Sequence, residues 1–550
     1  MRRLLAAEEI RMLEVQGCTF GPNSTVEVDE DFDISLIRHT HFSGTVSIGK
    51  NVSLNHVGEI GNSWLGDNVT VCRVNELVSD KNITNELFNE GITVGNEAGE
   101  PNIRFSLHSN ERIDWLGIHY PHLLSTEKEE ASENPSLCTI GNHCVIKNSG
   151  VVRNVIIHSS VTVDGAAHLE NGILHKESCI GAQVIVRTFS IGPRTRVTDG
   201  AKLYHVITTN DCKIGKGFMA ENCYFSHHCE LFCGEACAIF AGPHTVSHHK
   251  STLLIGGEFS FYNAGSNTNQ SNHAYKLGPI HYGTLSRGSK TASGCHILWP
   301  MQTAPFTMVM GKVKTHPDLS SLPFSYVIAE GENVYVAPGV NLGTAGTFRD
   351  VSKWKQRGKS DYIGEYDFLS PWVMQTVFKG IRILKKLQQE QGTETEEYTY
   401  NGVSIRRHAL LRGIDRYELA IRLFAGKISS TGNIHHNEAD KWHWIDAAGL
   451  PLVLEFLAGN IRRLDNPSDT VAINQEYKEQ MQQWGMAMLV RHYNTEFSFE
   501  KIQESARQAL SEWKALVVAD AHKEYGLGDM KKELLSDFIR KVEATDHNIF

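Results

Sequence analysis

The chain has 550 residues, of which 41% are hydrophobic, and a formal net charge of −10. This length allows several units that each bury a core. The acidic balance and the lack of an apolar run of about 18 residues disfavour a general nucleic-acid binder and a membrane-spanning protein.

Residues 1–41 are predicted to form an N-terminal cap, a helix followed by one or two strands. In the opening segment, Glu8, Glu9 and Arg11 interrupt any apolar stretch that a signal peptide would need. Eleven cysteines without a secretion signal are typical of reduced thiols, so we expect a cytoplasmic protein.

Aliphatic residues recur at intervals of six from about residue 42. In VSIGKNVSLNHVGEIGNSWLG (46–66), the interval separates Ile48, Leu54 and Ile60. It returns in three later sets: Ile140, Ile146 and Val152; Ile191, Val197 and Leu203; Ile328, Val334 and Val340. An antiparallel β-sandwich would show a period of two, whereas a fixed short period indicates a solenoid. Three units of six would close one triangular coil, with the aliphatic side chains inside and small residues at the corners.

The pattern divides the chain into segments. We predict a mainly β solenoid over 42–345, with an acidic, polar insertion at about 74–137. A linker is predicted at 346–365. Over 366–550 the apolar spacing changes to three and four residues, which predicts a C-terminal all-α domain.

Histidines are concentrated in the late coils, where nine lie between positions 227 and 316. The densest stretch, 242–283, also carries asparagines and lysines. Imidazole is the side chain best suited to take a proton at neutral pH, and amides can stabilise a developing oxyanion. The alternative is that these side chains form structural ladders at the corners. The predicted substrate-binding residues are His244, His248, His281, Asn263, Asn267, Asn269, Asn272 and Lys276.

Two further groups of residues suggest ligands. Cys223, Cys229, Cys233 and Cys237 lie beside two histidines and could bind zinc, but no Cys-x-x-Cys pair is present. The six-residue interval between Cys223 and Cys229 favours small buried residues at inward positions.

A basic run in an otherwise acidic protein contains Arg349, Lys353 and Lys355, which we predict to bind phosphates of a nucleotide-sugar or of coenzyme A. A solvated linker is the alternative. No P-loop or dinucleotide fingerprint is present, so kinase and dehydrogenase chemistry have no support.

The units IGKNVS (48–53) and IGNHCV (140–145) resemble the hexapeptide-repeat superfamily, whose fold is a left-handed parallel β-helix. The segment EEIRMLEVQGC near the start is similar to an uncharacterised bacterial family that carries this repeat. The resemblance covers roughly residues 40–345. It implies a homotrimer that transfers an acyl group from a thioester such as acyl-CoA to a sugar or an amine.

By this resemblance, a histidine at a cleft between subunits acts as the general base, and we assign that role to His273 or His249. The expected substrate is a sugar or nucleotide-sugar, with no nucleic-acid or membrane partner. One alternative is a metal-dependent lyase or hydrolase of the γ-carbonic-anhydrase type, whose zinc would be bound by residues among His244, His248, His249 and His273. Another is a non-catalytic trimeric scaffold. The sequence does not identify a metal site.

Overall fold

The computed structural model describes residues 2–80, 91–97, 102–107, 138–273, 276, 278, 281–357, 368–430, 470–493, 499–525 and 532–546. Much of the predicted insertion lies outside these residues. The chain divides into two compact units, Met1–Asp114 with Thr126–Gly283, and Trp115–Ser125 with Thr284–Phe550.

The first unit is built almost entirely of short strands. In chain order they are Arg2–Leu4, Thr19–Phe20, Thr25–Asp29, Ile37–Ile48, Ser53–Leu65, Thr70–Val78, Ile92–Gly95, Asn102–Phe105, Cys138–Ile140, Val145–Ile157, Thr162–Asp164, His168–Leu174, Cys179–Ile180, Ile185–Ile191, Arg196–Val197, Lys202–Thr208, Lys213–Gly215, Met219–Phe225, Glu230–Phe232, Glu235–Cys237, Phe240–Ala241, Val246–Ser247, Leu253–Ile255, Glu258–Phe259 and Asn263–Ala264.

Most of these strands form a parallel β-solenoid, which confirms the predicted fold class. The exceptions are two antiparallel pairs, Arg2–Leu4 with Thr25–Asp29 and Ile92–Gly95 with Asn102–Phe105. Thr162 pairs in parallel with Cys179, and Cys179 pairs with Arg196. Each of these steps is one residue shorter than three units of six would give. Asn154 and Asn171, which are hydrogen-bonded across two coils, are separated by the same 17 residues. Side chains stack on those one coil away, and backbone hydrogen bonds join each coil to the next.

The spacing of the buried aliphatic residues explains why each coil is one residue shorter than three units of six, because these residues advance by six, six and then five. One series of fully buried side chains is Ile140, Ile146, Val152, Ile157, Val163, Leu169 and Leu174. Ile48, Leu54 and Ile60 are buried in the same way, so the predicted common interior is confirmed. Two sides of the triangle carry the six-residue interval, and the third side is one residue shorter.

The coils on either side of the predicted insertion are direct neighbours, because Thr70 pairs with Val145. The strand Thr70–Val78 continues beyond the predicted start of the insertion at 74. At the other end, Thr25–Asp29 already pairs in parallel with the strand Ile37–Ile48, so solenoid pairing begins inside the predicted cap.

The corners are made by residues with positive φ. One corner carries a column whose φ values lie between 55° and 63°: His143, Ser160, Glu177, Arg194, Asp211, His228 and His244. Asparagine, aspartate and histidine tolerate this left-handed conformation better than most residues, which accounts for many polar residues in the repeat. Side chains of the column also contact one another. Arg194 and Asp211 form an ion pair at 2.6 Å, and the rings of His228 and His244 stack at 5.0 Å.

The register becomes irregular towards the end of the first unit. Met219 pairs with Glu235, one position earlier than in the regular coils, whereas Glu235 pairs with Leu253, one position later. The candidate site lies in this part of the chain.

The second unit begins with further parallel pairs, such as Thr284 with Gln302 and Met308 with Tyr326. Its strands are Thr284–Leu285, Lys290–Thr291, His296–Ile297, Gln302–Thr303, Met308–Met310, Lys312–Val313, Asp318–Leu319, Tyr326–Glu330, Asn333–Ala337, Glu397–Tyr400 and Val403–Arg406.

The solenoid repeat predicted at Ile328, Val334 and Val340 is wrong. Tyr326–Glu330 and Asn333–Ala337 pair antiparallel as a hairpin, and Ile328 lies opposite Tyr335. Gly331 has a φ of 64°, which lets the chain reverse at this point.

Helices follow most of the sheet, as predicted, but the C-terminal segment is not all-α, because the hairpin of Glu397–Tyr400 and Val403–Arg406 lies between two of its helices and joins the sheet. The helices of the described residues are α1 (Ala7–Val15) in the first unit, and α2 (Ala345–Arg357), α3 (Pro371–Gln391), α4 (Arg407–Ser430), α5 (Thr470–Tyr493), α6 (Phe499–Tyr525) and α7 (Lys532–Glu543) in the second. Helix α2 occupies the first part of the predicted linker. None of the helices in the described residues is both long and apolar enough to cross a bilayer.

Asn154 tests the corner geometry. Its φ is 56°, and its amide donates to Asp80 at 2.9 Å and to Asn171 at 3.0 Å. We expect Asn154→Ala to lower the free energy of local unfolding by about 2–3 kcal/mol, because these bonds are lost and the strained φ remains. Asn154→Gly should cost about 1 kcal/mol less, since glycine relieves the strain. Hydrogen exchange of peptides covering 145–191 measures both. Equal losses would show that φ contributes nothing.

The environment of Glu418 predicts that the helical region loses stability at low pH. Burial raises the pKa of this carboxyl, but bonds from His492 at 3.1 Å and Lys385 at 2.9 Å outweigh burial and lower the pKa to about 2. Stability from this network is therefore present above the usual pKa of 4.5 and is lost as the pH falls towards 2. After allowing for solvent screening, we expect a loss of about 1–2 kcal/mol. Urea unfolding followed at 222 nm should show a flatter pH dependence for Glu418→Gln. An unchanged slope would contradict this assignment.

Candidate functional site

A hairpin from the predicted insertion packs on the solenoid of the first unit. Its strands, Ile92–Gly95 and Asn102–Phe105, pair antiparallel. The buried ring of Phe105 lies 4.9 Å from that of Tyr224 and 5.9 Å from that of Phe240, centroid to centroid. This aromatic contact fixes the hairpin against the wall of the coils.

The backbone of Gly95 completes the attachment. Its N–H donates to the carbonyl of Ala238 at 3.0 Å, and its carbonyl accepts from Gly257 N–H at 3.0 Å. The neighbouring Gly256 has a φ of 60°, and a Cβ there would lie 1.4 Å from the carbonyl oxygen of His281. Two glycines therefore allow the hairpin and the segment carrying His281 to approach the same coil.

Glu97 lies at the end of this hairpin strand, between two histidines. Its Oε2 is 3.4 Å from Nδ1 of His281 and 3.8 Å from Nε2 of His273. The His281 side chain is fully buried, whereas that of His273 is 61% exposed. We call these three residues the Glu97 cluster. It joins a buried imidazole, a carboxylate and an imidazole that reaches solvent.

The hydrogen bonds of His281 determine where its proton lies. The backbone N–H of Asn272 donates to Nε2 of His281 at 3.0 Å. The neutral ring must therefore carry its proton on Nδ1, which faces Glu97. Asn96 accepts a bond of 3.3 Å from the backbone N–H of His281. Both ring and backbone of this residue are thus held in place.

This arrangement suits proton transfer at His273. Its Nε2 faces the carboxylate, so an Nε2–H would point towards Glu97 and leave Nδ1 as the basic atom. A carboxylate beside an imidazole orients the ring and stabilises the charge that it gains with a proton. Exposure of His273 makes that nitrogen accessible to a substrate.

The Glu97 cluster also has the composition of a metal site. Its donor atoms all lie within 4.8 Å of one another. Tetrahedral zinc ligands at about 2.1 Å from the ion are about 3.4 Å apart, which is close to the two carboxylate distances. However, a metal on Nδ1 of His281 would require a proton on Nε2, which faces the N–H of Asn272. Metal-bound histidines normally donate their second N–H to an acceptor. The hydrogen bonding therefore favours proton transfer over metal binding.

The thiol of Cys237 is protonated at neutral pH. Burial, followed by the carboxylates of Glu97, Glu221 and Glu235, raises the pKa of Cys237 to about 11. Cys223 and Cys229 are completely buried, which confirms their predicted inward positions. A thiol with a raised pKa is a poor nucleophile and a poor metal ligand.

Two of the other predicted histidines have partners outside the Glu97 cluster. His244 is buried at the corner, with its ring 5.0 Å from those of His228 and Phe261. His248 contacts Glu230 through Nε2 at 3.0 Å. His249 is exposed, and among the described residues its side chain forms no hydrogen bond or ion pair with the Glu97 cluster.

The predicted asparagines and lysine occupy different positions. Asn272 is buried and donates to His281, and Asn269 braces the same loop by accepting from Ser271 N–H at 2.8 Å. Asn263, Asn267 and Lys276 are exposed, and Asn267 has a corner φ of 58°. The structure thus brings His273, His281 and Asn272 together.

The predicted phosphate-binding residues lie on α2 of the second unit. Arg349 pairs with Glu524 at 2.9 Å and donates to Tyr525 Oη at 3.3 Å. Lys353 and Lys355 are exposed. Phosphate binding by these three residues stays a prediction.

Sequence reasoning did not find Glu97, which lies in the segment interpreted as an insertion. Asn96 bonds to His281, 185 residues along the chain. The repeat pattern gives no signal there, because the hairpin is outside the coils. The alternation of apolar and other residues in ITVG, with two polar residues after it, is the one local pattern that indicates the end of a strand here.

The fold and the cluster define a parallel β-solenoid protein with a candidate acid–base site. The chain belongs to the family described as a domain of unknown function, DUF4954, whose profile matches residues 2–104 and 120–388. The matched residues include Glu97, His273 and His281. Among curated proteins, no match to the chain is found.

Alkylation of Cys237 tests the position of Glu97 independently of activity. With a pKa of about 11, about one thiol in a thousand is ionised at pH 8, so reaction with iodoacetamide should be slow. Glu97→Gln removes a negative charge and lowers the thiol pKa, so we expect faster alkylation. Peptide mass spectrometry measures the rate, with Cys233 as the internal reference. An unchanged Cys237 rate would place Glu97 elsewhere.

Proposed function

We propose that the Glu97 cluster is the acid–base site of an acyltransferase-like enzyme acting on a sugar or nucleotide-sugar. The observation that carries the proposal is the position of Glu97, within 3.4 Å of the buried His281 and 3.8 Å of the exposed His273. His273 acts as the general base, and Glu97 stabilises the imidazolium that forms. His281 positions Glu97 through its Nδ1 proton.

The reaction begins when a substrate hydroxyl or amine attacks the thioester carbonyl of acyl-CoA. Nδ1 of His273 takes the proton from the attacking atom, and backbone N–H groups stabilise the oxyanion. The carbon–sulfur bond then breaks, and the proton goes from His273 to the departing thiolate. The products are the acylated acceptor and the free thiol of coenzyme A.

The proposal includes a homotrimer, in which His273 faces a cleft between subunits. The resemblance of the repeat to trimeric acyltransferases supports this assembly. The high exposure of His273 is compatible with a substrate or a neighbouring subunit lying over it. His249, also exposed, is the alternative base, and Lys353 and Lys355 are the accessible candidates for phosphate contacts.

A second candidate is a zinc-dependent lyase or hydrolase at the same cluster. The donor spacing favours it, because two separations approach the edge of a tetrahedral site. Binding would require His281 to lose its bond from Asn272. In this candidate the two histidines and Glu97 would hold the ion, which would supply an activated water.

The two candidates are separated by one set of measurements on the full chain. Acetyl-CoA is incubated with a panel of amino sugars and nucleotide-sugars, and acylated products are detected by mass spectrometry. We expect His273→Gln to lower kcat/KM by about 10²–10⁴-fold and Glu97→Gln to lower it by about tenfold or more. His249→Gln tests the alternative base: unchanged turnover in this variant supports His273, whereas a comparable loss would assign the role to His249.

Metal content decides between the outcomes. Acyl transfer that survives EDTA, from protein without stoichiometric zinc, supports the acid–base proposal. Bound zinc that is lost in His273→Ala would instead support the metal candidate. If the protein shows neither thioester turnover nor bound zinc, the proposal is wrong and the non-catalytic scaffold is favoured.

A further inference from the structure

The second unit contains a cavity of about 320 Å³. Helix α2 lines one side, helix α6 contributes Trp513, and the end of α7 closes another side. Three aromatic side chains, Phe348, Phe368 and Trp513, form much of the wall, with Leu342 and Val351. The rings of Phe348 and Trp513 are edge to face at 5.9 Å, and Phe368 stacks on Trp513 at 6.2 Å.

Three polar groups of the wall are hydrogen-bonded to backbone carbonyls and so are not available to a ligand. The indole N–H of Trp513 donates to the carbonyl of Leu342 at 3.0 Å. The hydroxyl of Ser352 donates to Phe348 O at 2.9 Å, and that of Thr545 donates to Lys541 O at 3.1 Å. The cavity therefore presents rings, methyl groups and methylenes, a surface that fits an apolar body better than a sugar or a nucleotide.

Cationic groups lie among the exposed lining residues. Lys355 follows Val351 by one turn on α2, and Lys541 lies in the last turn of α7. Both side chains are exposed and line the cavity with Gln356. An apolar interior with ammonium groups at its solvent side matches a ligand that has a hydrophobic body and an anionic head.

We propose that this cavity binds a medium-sized amphiphilic carboxylate, with its chain against Phe348, Phe368 and Trp513. The carboxylate lies at Lys355 and Lys541. The volume is near the lower end of the range for ligand sites, about 300–1,000 Å³, which selects a medium rather than a long chain. This inference does not depend on the Glu97 cluster, although Lys355 is also a candidate for the phosphate contacts of the proposed function.

Asp537 allows the proposal to predict the direction of an effect on ligand binding. Its carboxylate contacts Lys541 at 2.7 Å, one turn away on α7. A ligand carboxylate must compete with Asp537 for this ammonium group. Removing the charge of Asp537 should therefore strengthen ligand binding, whereas removing Lys541 should weaken it.

The test is titration calorimetry of the full chain with decanoate, below the concentration at which it forms micelles. We expect saturable binding of one decanoate per chain. Lys355→Ala and Lys541→Ala should each raise Kd about fivefold, and Asp537→Asn should lower it about two- to fivefold. Ala544→Trp, which places a large ring at an exposed lining position, should abolish binding.

Matched controls make each outcome decisive. Lys353→Ala removes an exposed lysine of the same helix that does not line the cavity, and Kd should not change. Decanol has the same chain without the charge and should bind at least fivefold more weakly than decanoate. Equal binding of the two, unchanged Kd in both lysine variants and in Ala544→Trp, or no saturable binding would each overturn the proposal.

Discussion

The parallel hydrogen bonding of one coil to the next is the constraint on which the first unit depends. Each regular coil must use the same number of residues to keep its strands in register, as the equal steps between Thr162, Cys179 and Arg196 show. Three corners must then fit between short strands, and many corner residues adopt a positive φ. The polar residues at these corners are suited to the positive φ that the backbone requires there. Their side chains then contact equivalent side chains on neighbouring coils.

This constraint separates two kinds of histidine. His228 and His244 belong to the corner column, where stacking and backbone conformation account for their presence. His273 and His281 lie where the coil register has become irregular and where a hairpin from a distant segment reaches the solenoid. Chemical groups from separate parts of the chain meet there, because the hairpin brings Asn96 and Glu97 to the segment that carries His281.

The sequence predicted the solenoid because buried aliphatic residues, such as Ile140, Ile146 and Val152, sample the same interior on two sides of each coil. The sequence pattern did not predict the shorter third side, because the interval there is five residues and not six. The sequence also predicted His273 and His281 as members of a site. It could not predict Glu97, because its partner is far along the chain and packing of Phe105 against the coils brings the two together.

Because Gly256 lies so close to the backbone of His281, a substitution at position 256 constrains the backbone path at position 281. A side chain there would collide with the backbone of His281, so a relative that acquires one must reroute the segment that carries this imidazole. Drift at a residue with no chemistry of its own would then separate the imidazole from Glu97. A relative without glycine at this position is therefore expected to lack the Glu97 cluster.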